Sequence, residues 1–284
     1  MKTLKYIFAL IIFAAFTVSC SKDDDNNDVV INPIEDLQKI LEISEADHTI
    51  ELYSTKANLE VGYNEISLRF FDKGSNTYLS DVEPTWMPMM QMGPMQHSTP
   101  YSSLANNPIN TVYKGFIVFS MAGDGGAYWE ITFDYKINGQ MKSLTKKIQV
   151  VQPADGLKKT QVFTGNDEGH YILAFVNPQN PEVAINNFQA LLYKMEDMMH
   201  YSIVENYKVA IDPRMPSMGN HSSPNNQDLM YNELSKMYEG KLSLTMTGYW
   251  KINMKLLNEN GEVLKGEDVT ESNPESSLLF ELEF

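Results

Sequence analysis

The sequence predicts an all-β chain of two tandem β-sandwich domains, and three observations predict it. The first is that the chain repeats itself. "LEVGYNEISLRFFD" at 59–72 lines up with "PEVAINNFQALLYKMED" at 181–197, each carrying Glu-Val, then an Asn, then an apolar run. "VEPTWMPMM" from Val82 answers "IDPRMPSM" from Ile211, and "HSTP" at His97 answers "HSSP" at His221. "YKGFIVFSMAG" at 113–123 matches "YEGKLSLTMTG" at 238–248 without a gap, and each copy then runs into a "YW" strand, from Tyr128 and from Tyr249. The second observation is an apolar spacing of two: Ile131, Phe133 and Tyr135 alternate with Thr132, Asp134 and Lys136, as in a half-buried strand. The third is turn chemistry, since Asn, Gly and Pro separate about seven short strands in each unit.

Taken in order, residues 1–20, "MKTLKYIFALIIFAAFTVSC", have a basic start at Lys2 and Lys5, an apolar stretch and small residues at the end. That pattern is a secretory signal, too short for a stable membrane span. It closes on Cys20, the chain's one cysteine, followed by "SKDDDNN". The segment resembles a bacterial lipoprotein signal of the Bacteroidota type. The resemblance implies a lipidated Cys20 as the mature N-terminus, an outer-membrane location facing the periplasm or the cell surface, and the membrane as a partner through the anchor. Residues 21–40 read as an acidic tether: up to about Asn32 it has too little apolar material to fold, and "PIEDLQKILEI" from Pro33 reads as a short turn or joining segment. The first sandwich is expected at 41–151 and the second at 160–284, joined by "VQPADGLKKT", whose Pro, Asp and Gly punctuate the chain. One segment resists the β reading: Phe188, Leu191, Leu192, Met195, Met198 and Met199 fall at helical spacing. Its partner block "ISLRFF" reads as a strand, so the repeat decides for a strand with a turn or short helix near Glu196.

Charge narrows the function. Without Lys2 and Lys5, 20 basic residues of the original 22 face 37 acidic ones, a formal charge of −17. That balance repels nucleic acid and anionic surfaces and attracts cations without choosing among them. With Cys20 acylated no thiol remains, so metal chemistry would rest on His, Met and carboxylates. No Gly-x-Ser-x-Gly, His-Glu-x-x-His or phosphate-cradling loop occurs, and no enzymatic activity is expected. His48, in "EADHT", and His170, in "DEGHY", stand in polar surroundings that favour the surface. "TGNDEGH" at 164–170 collects Asp167, Glu168 and His170 as oxygen and nitrogen donors for a hard cation, without the periodicity of a calcium loop.

The methionines carry the sharper hypothesis. "MPMMQMGPMQHSTP" at 87–100 and "MPSMGNHSSPN" at 215–225 place Met and His in Pro- and Gly-rich loops that can fold back. Thioethers are neutral and soft and favour Cu(I), while imidazole suits Cu(I), Cu(II) and Zn(II) alike. The candidate ligand sets are Met87, Met90, His97 and Met121 in the first copy and Met215, Met218, His221 and Met246 in the second. Met89, Met92 and Met95 fit solvent exposure or loose capture, and "KMEDMMHY" adds Met198, Met199 and His200. The competing reading makes these methionines gap-filling side chains and "HSTP" a structural segment, with Ser98 or Thr99 bonded to nearby backbone.

The two Met-Pro segments, each followed by a Gly-led strand and "YW", resemble the YtkA-like and FixH-like immunoglobulin-type modules of bacterial envelope proteins. The family pattern falls on Met87, Pro88, Met90, His97 and Trp129, and on Met215, Pro216, Met218, His221 and Trp250. The resemblance implies an immunoglobulin-like sandwich, copper as the ion and a metal donor or acceptor protein as the partner. The alternative is a structural or protein-binding surface lipoprotein whose exposed Trp86 and flanking Met form a contact patch.

Overall fold

A computed structural model describes residues 32–107 and 111–284; the leader with Cys20 and all but the end of the tether lie outside the described residues. The regular elements are strands, apart from one 3₁₀ turn at Pro216–Met218, and no α-helix occurs among the described residues. The first repeat supplies β1 (Gln38–Ser44), β2 (His48–Ser54), β3 (Leu59–Glu60), β4 (Gly62–Asp72), β5 (Thr77–Tyr78), β6 (Thr85–Met92), β7 (Met95–His97), β8 (Ala105–Asn107), β9 (Val112–Phe119), β10 (Tyr128–Ile137), β11 (Gln140–Ile148) and β12 (Val150–Val151). The second supplies β13 (Thr160–Thr164), β14 (His170–Asn177), β15 (Ile185–Met195), β16 (Tyr201–Ile203), β17 (Lys208–Met215), β18 (His221–Ser222), β19 (Gln227–Asn232), β20 (Met237–Ser243), β21 (Tyr249–Leu257), β22 (Val263–Lys265) and β23 (Leu279–Glu283). The sheet therefore starts at Gln38, inside the expected tether, because β1 pairs with β2 along its length and buries Ile43.

In the first repeat one sheet runs β1-β2-β4-β9-β8, with β5 on β4, and another runs β11-β10-β6-β7. Ile50, Leu52, Leu68 and Phe70 of the first sheet meet Trp86, Met90, Trp129 and Phe133 of the second in one buried cluster. That is a sandwich core, and it follows from the alternation along β10, whose Trp129, Ile131, Phe133, Tyr135 and Ile137 are all buried. In the second repeat the matching strands join into one folded sheet, β13-β14-β15-β20-β19-β17-β21-β22, with β16 on β15, β18 on β17 and β23 on β21. Leu173, Phe175 and Phe188 there close on Trp250, Ile252 and Leu256.

The repetition holds at the level of single side chains. Asn64 Oδ1 accepts from the Glu60 N–H at 3.0 Å and its Nδ2 donates to the Glu60 and Gly62 carbonyls; Asn186 does the same with Glu182 and Ala184. Leu68 pairs with Tyr113 as Ala190 pairs with Tyr238, and both tyrosines are fully buried. Trp129 Nε1 donates to the Met121 carbonyl at 2.8 Å, and Trp250 Nε1 to the Met246 carbonyl at 3.1 Å.

Helical spacing in 188–199 has a physical source in the packing. Phe188, Ala190 and Leu192 of β15 enter the second core, while Leu191 and Tyr193 enter a third cluster with Ile172, Ala174 and Val176 of β14 and Val118 of the first repeat. A strand buried on both faces is apolar at consecutive positions, so its period of two is hidden. The turn expected near Glu196 is present, with Asp197 Oδ1 accepting from the Met199 and His200 N–H groups at 2.7 and 2.9 Å.

Two surface assignments need correction. His48 is buried: its Nδ1 meets Asp47 Oδ1 at 2.6 Å and its Nε2 meets the Tyr135 hydroxyl at 2.8 Å, so its polar sequence neighbours do not place it in water. Trp86 is 4% exposed, with its Nε1 donating to the Ser102 carbonyl at 2.7 Å and its ring against Gly115, where a Cβ would lie 2.7 Å from Cζ2. It therefore belongs to the core and offers nothing to an exposed contact patch. Burial, reinforced by Glu45 and Asp47, pushes the nearby Tyr135 phenol up to about 12.

Candidate metal-binding site

Strand register decides which Met and His residues correspond. Met90 pairs with Trp129 on one side and His97 on the other. In the second copy Arg214 pairs with Lys251, so the next step sets Met215 beside Trp250, and Met215 also pairs with His221. Met90 thus corresponds to Met215, not to Met218, and the interval to histidine is seven residues in one copy and six in the other. The two Met-Pro dipeptides match as sequence, but the register aligns Met87-Pro88 with Asp212-Pro213.

Met90 is fully buried and Met215 is 3% exposed, so both side chains are part of the cores. His97 stands edge-on to Trp129, with ring centroids 5.5 Å apart at 87°. Met121 packs against the same core, and its carbonyl holds the indole N–H. Met90, His97 and the Met121 backbone are therefore neighbours of Trp129; in the second copy Met215 pairs with His221 and the Met246 carbonyl holds Trp250, without a His221–Trp250 ring contact among the described residues. Met87 is left out: alternation along β6 places it on the face opposite Met90, where it is 42% exposed. Met218 is also left out, 55% exposed in the 3₁₀ turn. Of the additional methionines, Met95 is exposed and Met92 partly buried, but Met89, on the same face of β6 as Met87, is buried, against the expected solvent position.

The "HST" segment has structural duties as well. Ser98 Oγ donates to the Pro88 carbonyl at 2.9 Å, and Thr99 Oγ1 donates to the Val118 carbonyl. His97 Nδ1 donates to the Ser98 carbonyl at 2.6 Å, which fixes the neutral ring's proton on Nδ1 and leaves the lone pair on Nε2.

The first group opens onto a cavity of about 420 Å³ whose walls come from both repeats: His97 and Met121 from one, His170, Met195, Met198 and Tyr201 from the other. Sequence reading gave His170 and Met198 little or no weight and missed Met195 as a site residue, since only tertiary packing brings β14 to β16 against this end. The one sequence signal for Met195 and Met198 is the cluster of Met and His at 195–200, which has no counterpart in the first copy, and that for His170 is "TGNDEGH". His200 itself turns away and pairs with Asp197 at 2.8 Å, holding that carboxylate below its usual range. Asp167 accepts from Tyr171 at 2.7 Å and from the Gly169 N–H at 3.2 Å, while His170 Nδ1 meets Thr164 Oγ1 at 3.0 Å. Asp167, Glu168 and His170 thus form a turn and no cation cage. Among the described residues no three His, Cys, Asp or Glu side chains converge as metal ligands, so a site here depends on thioethers.

No protein-family model matches the chain, and no curated protein matches it. Among solved structures it is similar to a DUF4785 family protein from Legionella pneumophila, at 8% identity and a TM-score of 0.25, over 77% of this chain and 54% of that one. The chain spans about half the length of that protein.

Proposed function

We propose that this is an extracytoplasmic lipoprotein that binds a soft metal ion, copper as Cu(I), and passes it to or from a partner protein, without catalysis. The observation that carries the reading is the duplicated pairing of Met90 with His97 and of Met215 with His221, with Met121 and Met246 next to them at the equivalent tryptophans. Two thioethers and one neutral imidazole offer soft, uncharged donors, which suit Cu(I) and give a dication no compensating charge. The likeness of the Met-Pro and "YW" segments to YtkA-like and FixH-like modules supports the same reading. So does the strongly acidic composition, which draws cations of any kind towards the surface.

A chain beginning at Asn32 should bind Cu(I) in preference to Zn(II) in a competition titration against a Cu(I) chelator. Affinity no tighter than that of an unfolded Met-rich peptide would return these side chains to core and loop packing. The anchor is tested separately: Cys20→Ser should abolish metabolic labelling by lipid, since two acyl chains are needed for stable membrane residence. A free, signal-cleaved wild-type protein would sink the lipoprotein reading.

A further inference from the structure

Resting on the soft-metal reading, we propose that the ion is held across the junction of the two repeats, by His97 and Met121 of the first and by His170 with Met195 or Met198 of the second. Each repeat supplies one imidazole and at least one thioether to it. Together they line one largely apolar cavity.

Both imidazoles are prepared for the role. His97 is held through Nδ1 by the Ser98 carbonyl, which leaves the Nε2 lone pair for an ion, and His170 Nδ1 meets the Thr164 hydroxyl, which leaves its Nε2 for an ion in the tautomer where that hydroxyl accepts. Neither Nε2 has a hydrogen-bond partner among the described residues. The thioethers are brought in by the β15–β16 turn. Its Met198 carbonyl accepts from the Ser98 N–H at 2.8 Å, which fastens the tip of that turn to the residue beside His97. Tyr201 reinforces the clasp, its hydroxyl lying 3.2 Å from the Ser98 carbonyl and 3.6 Å from Met195 Sδ. Met198 itself is 53% exposed, leaving a side from which a partner can reach the ion.

The second repeat provides an internal comparison. Its own group, Met215, His221 and Met246, has no repeat packed over it: His221 is exposed and Met246 is 39% exposed. If a cross-junction set is required for tight binding, the chain holds one ion tightly and not two. Neutral donors in an apolar cavity also favour a monovalent ion over a divalent one.

The test is a Cu(I) competition titration on the chain from Asn32, wild type against His97→Ala, His170→Ala, His221→Ala and the volume-conserving pair Met195→Leu with Met198→Leu. Loss of a group that merely orients a ligand weakens binding about 10–100-fold. Loss of His97 or of His170 should therefore weaken the single tight site by at least about 100-fold, with the Met pair also weakened and His221→Ala unchanged. Metal-free circular dichroism and thermal midpoints matching wild type would show that His170→Ala and the Met pair still fold. A silent His170→Ala beside a damaged His97→Ala would overturn the cross-junction site while leaving soft-metal binding intact. No tight site in the wild type would overturn both.

Discussion

Trp129→Ala should remove about 3–5 kcal/mol of stability, the range for truncating a large aromatic side chain in a core. The side chain is fully buried in the first core. Its ring meets Phe119 at 5.0 Å and His97 at 5.5 Å, both edge-on, and such pairs contribute about 0.5–1.5 kcal/mol beyond area burial. Truncation also strips the Met121 carbonyl of its donor. Trp250 is equally buried and keeps the equivalent hydrogen bond to Met246, but no aromatic ring pairs with it among the described residues. Trp250→Ala should therefore cost roughly 1 kcal/mol less. Against a typical native stability of about 5–15 kcal/mol, either variant is close to its limit. Urea unfolding followed by circular dichroism measures both, and a Trp129→Ala loss under about 1.5 kcal/mol would show that this ring is not the centre of its core. The same substitution removes the surface on which His97 rests, so metal affinity should fall with stability.

The fold was legible where local chemistry and repetition agreed. Strand β10 shows its alternation openly, and the Asn of each Glu-Val-x-x-Asn block marks the same folded-back turn in both copies. The site was legible only in part. The repeat groups His97, Met90 and Met121, but its Met-Pro match points from Met90 to Met218 where the register points to Met215. A Met-Pro dipeptide is a conspicuous feature of sequence, whereas backbone pairing sets register, and Pro88 pairs in its sheet as Pro213 does while Pro216 lies outside it. His170, Met195 and Met198 were out of reach for a different reason. Their meeting with His97 depends on how β14 and β15 pack their outward faces against the other repeat, and nothing local to those residues encodes that contact.

That packing makes the junction the second place of large effect: Ala174→Glu should destabilise the chain by more than about 3 kcal/mol, the cost of a buried charge without a partner. The two repeats show why. Glu51 pairs with Arg69 across β2 and β4, and the equivalent pair across β14 and β15 is Ala174 with Leu191. Glu51 is buried too, but it accepts from Tyr53 at 2.7 Å, Lys39 at 3.0 Å and Tyr78 at 3.0 Å. Against the penalty of burial, those three donors hold its carboxyl below the usual range. At Ala174, fully buried among Ile172, Val176, Leu191, Tyr193 and Val118, the one polar group on these five neighbouring side chains is the Tyr193 phenol, and none of them carries a positive charge. A carboxylate there must either take up a proton or force the repeats apart. Forcing them apart should split urea unfolding into two transitions and loosen the cavity that His97 shares with His170. Adding Leu191→Arg to Ala174→Glu sets opposite charges on cross-strand neighbours in the junction, and a double-mutant cycle should recover about 1–3 kcal/mol of coupling. The control is Glu51→Ala, which leaves the junction untouched and should retain a single transition. An Ala174→Glu chain within about 1 kcal/mol of wild type, unfolding as one unit, would mean that the third cluster does not hold the repeats together.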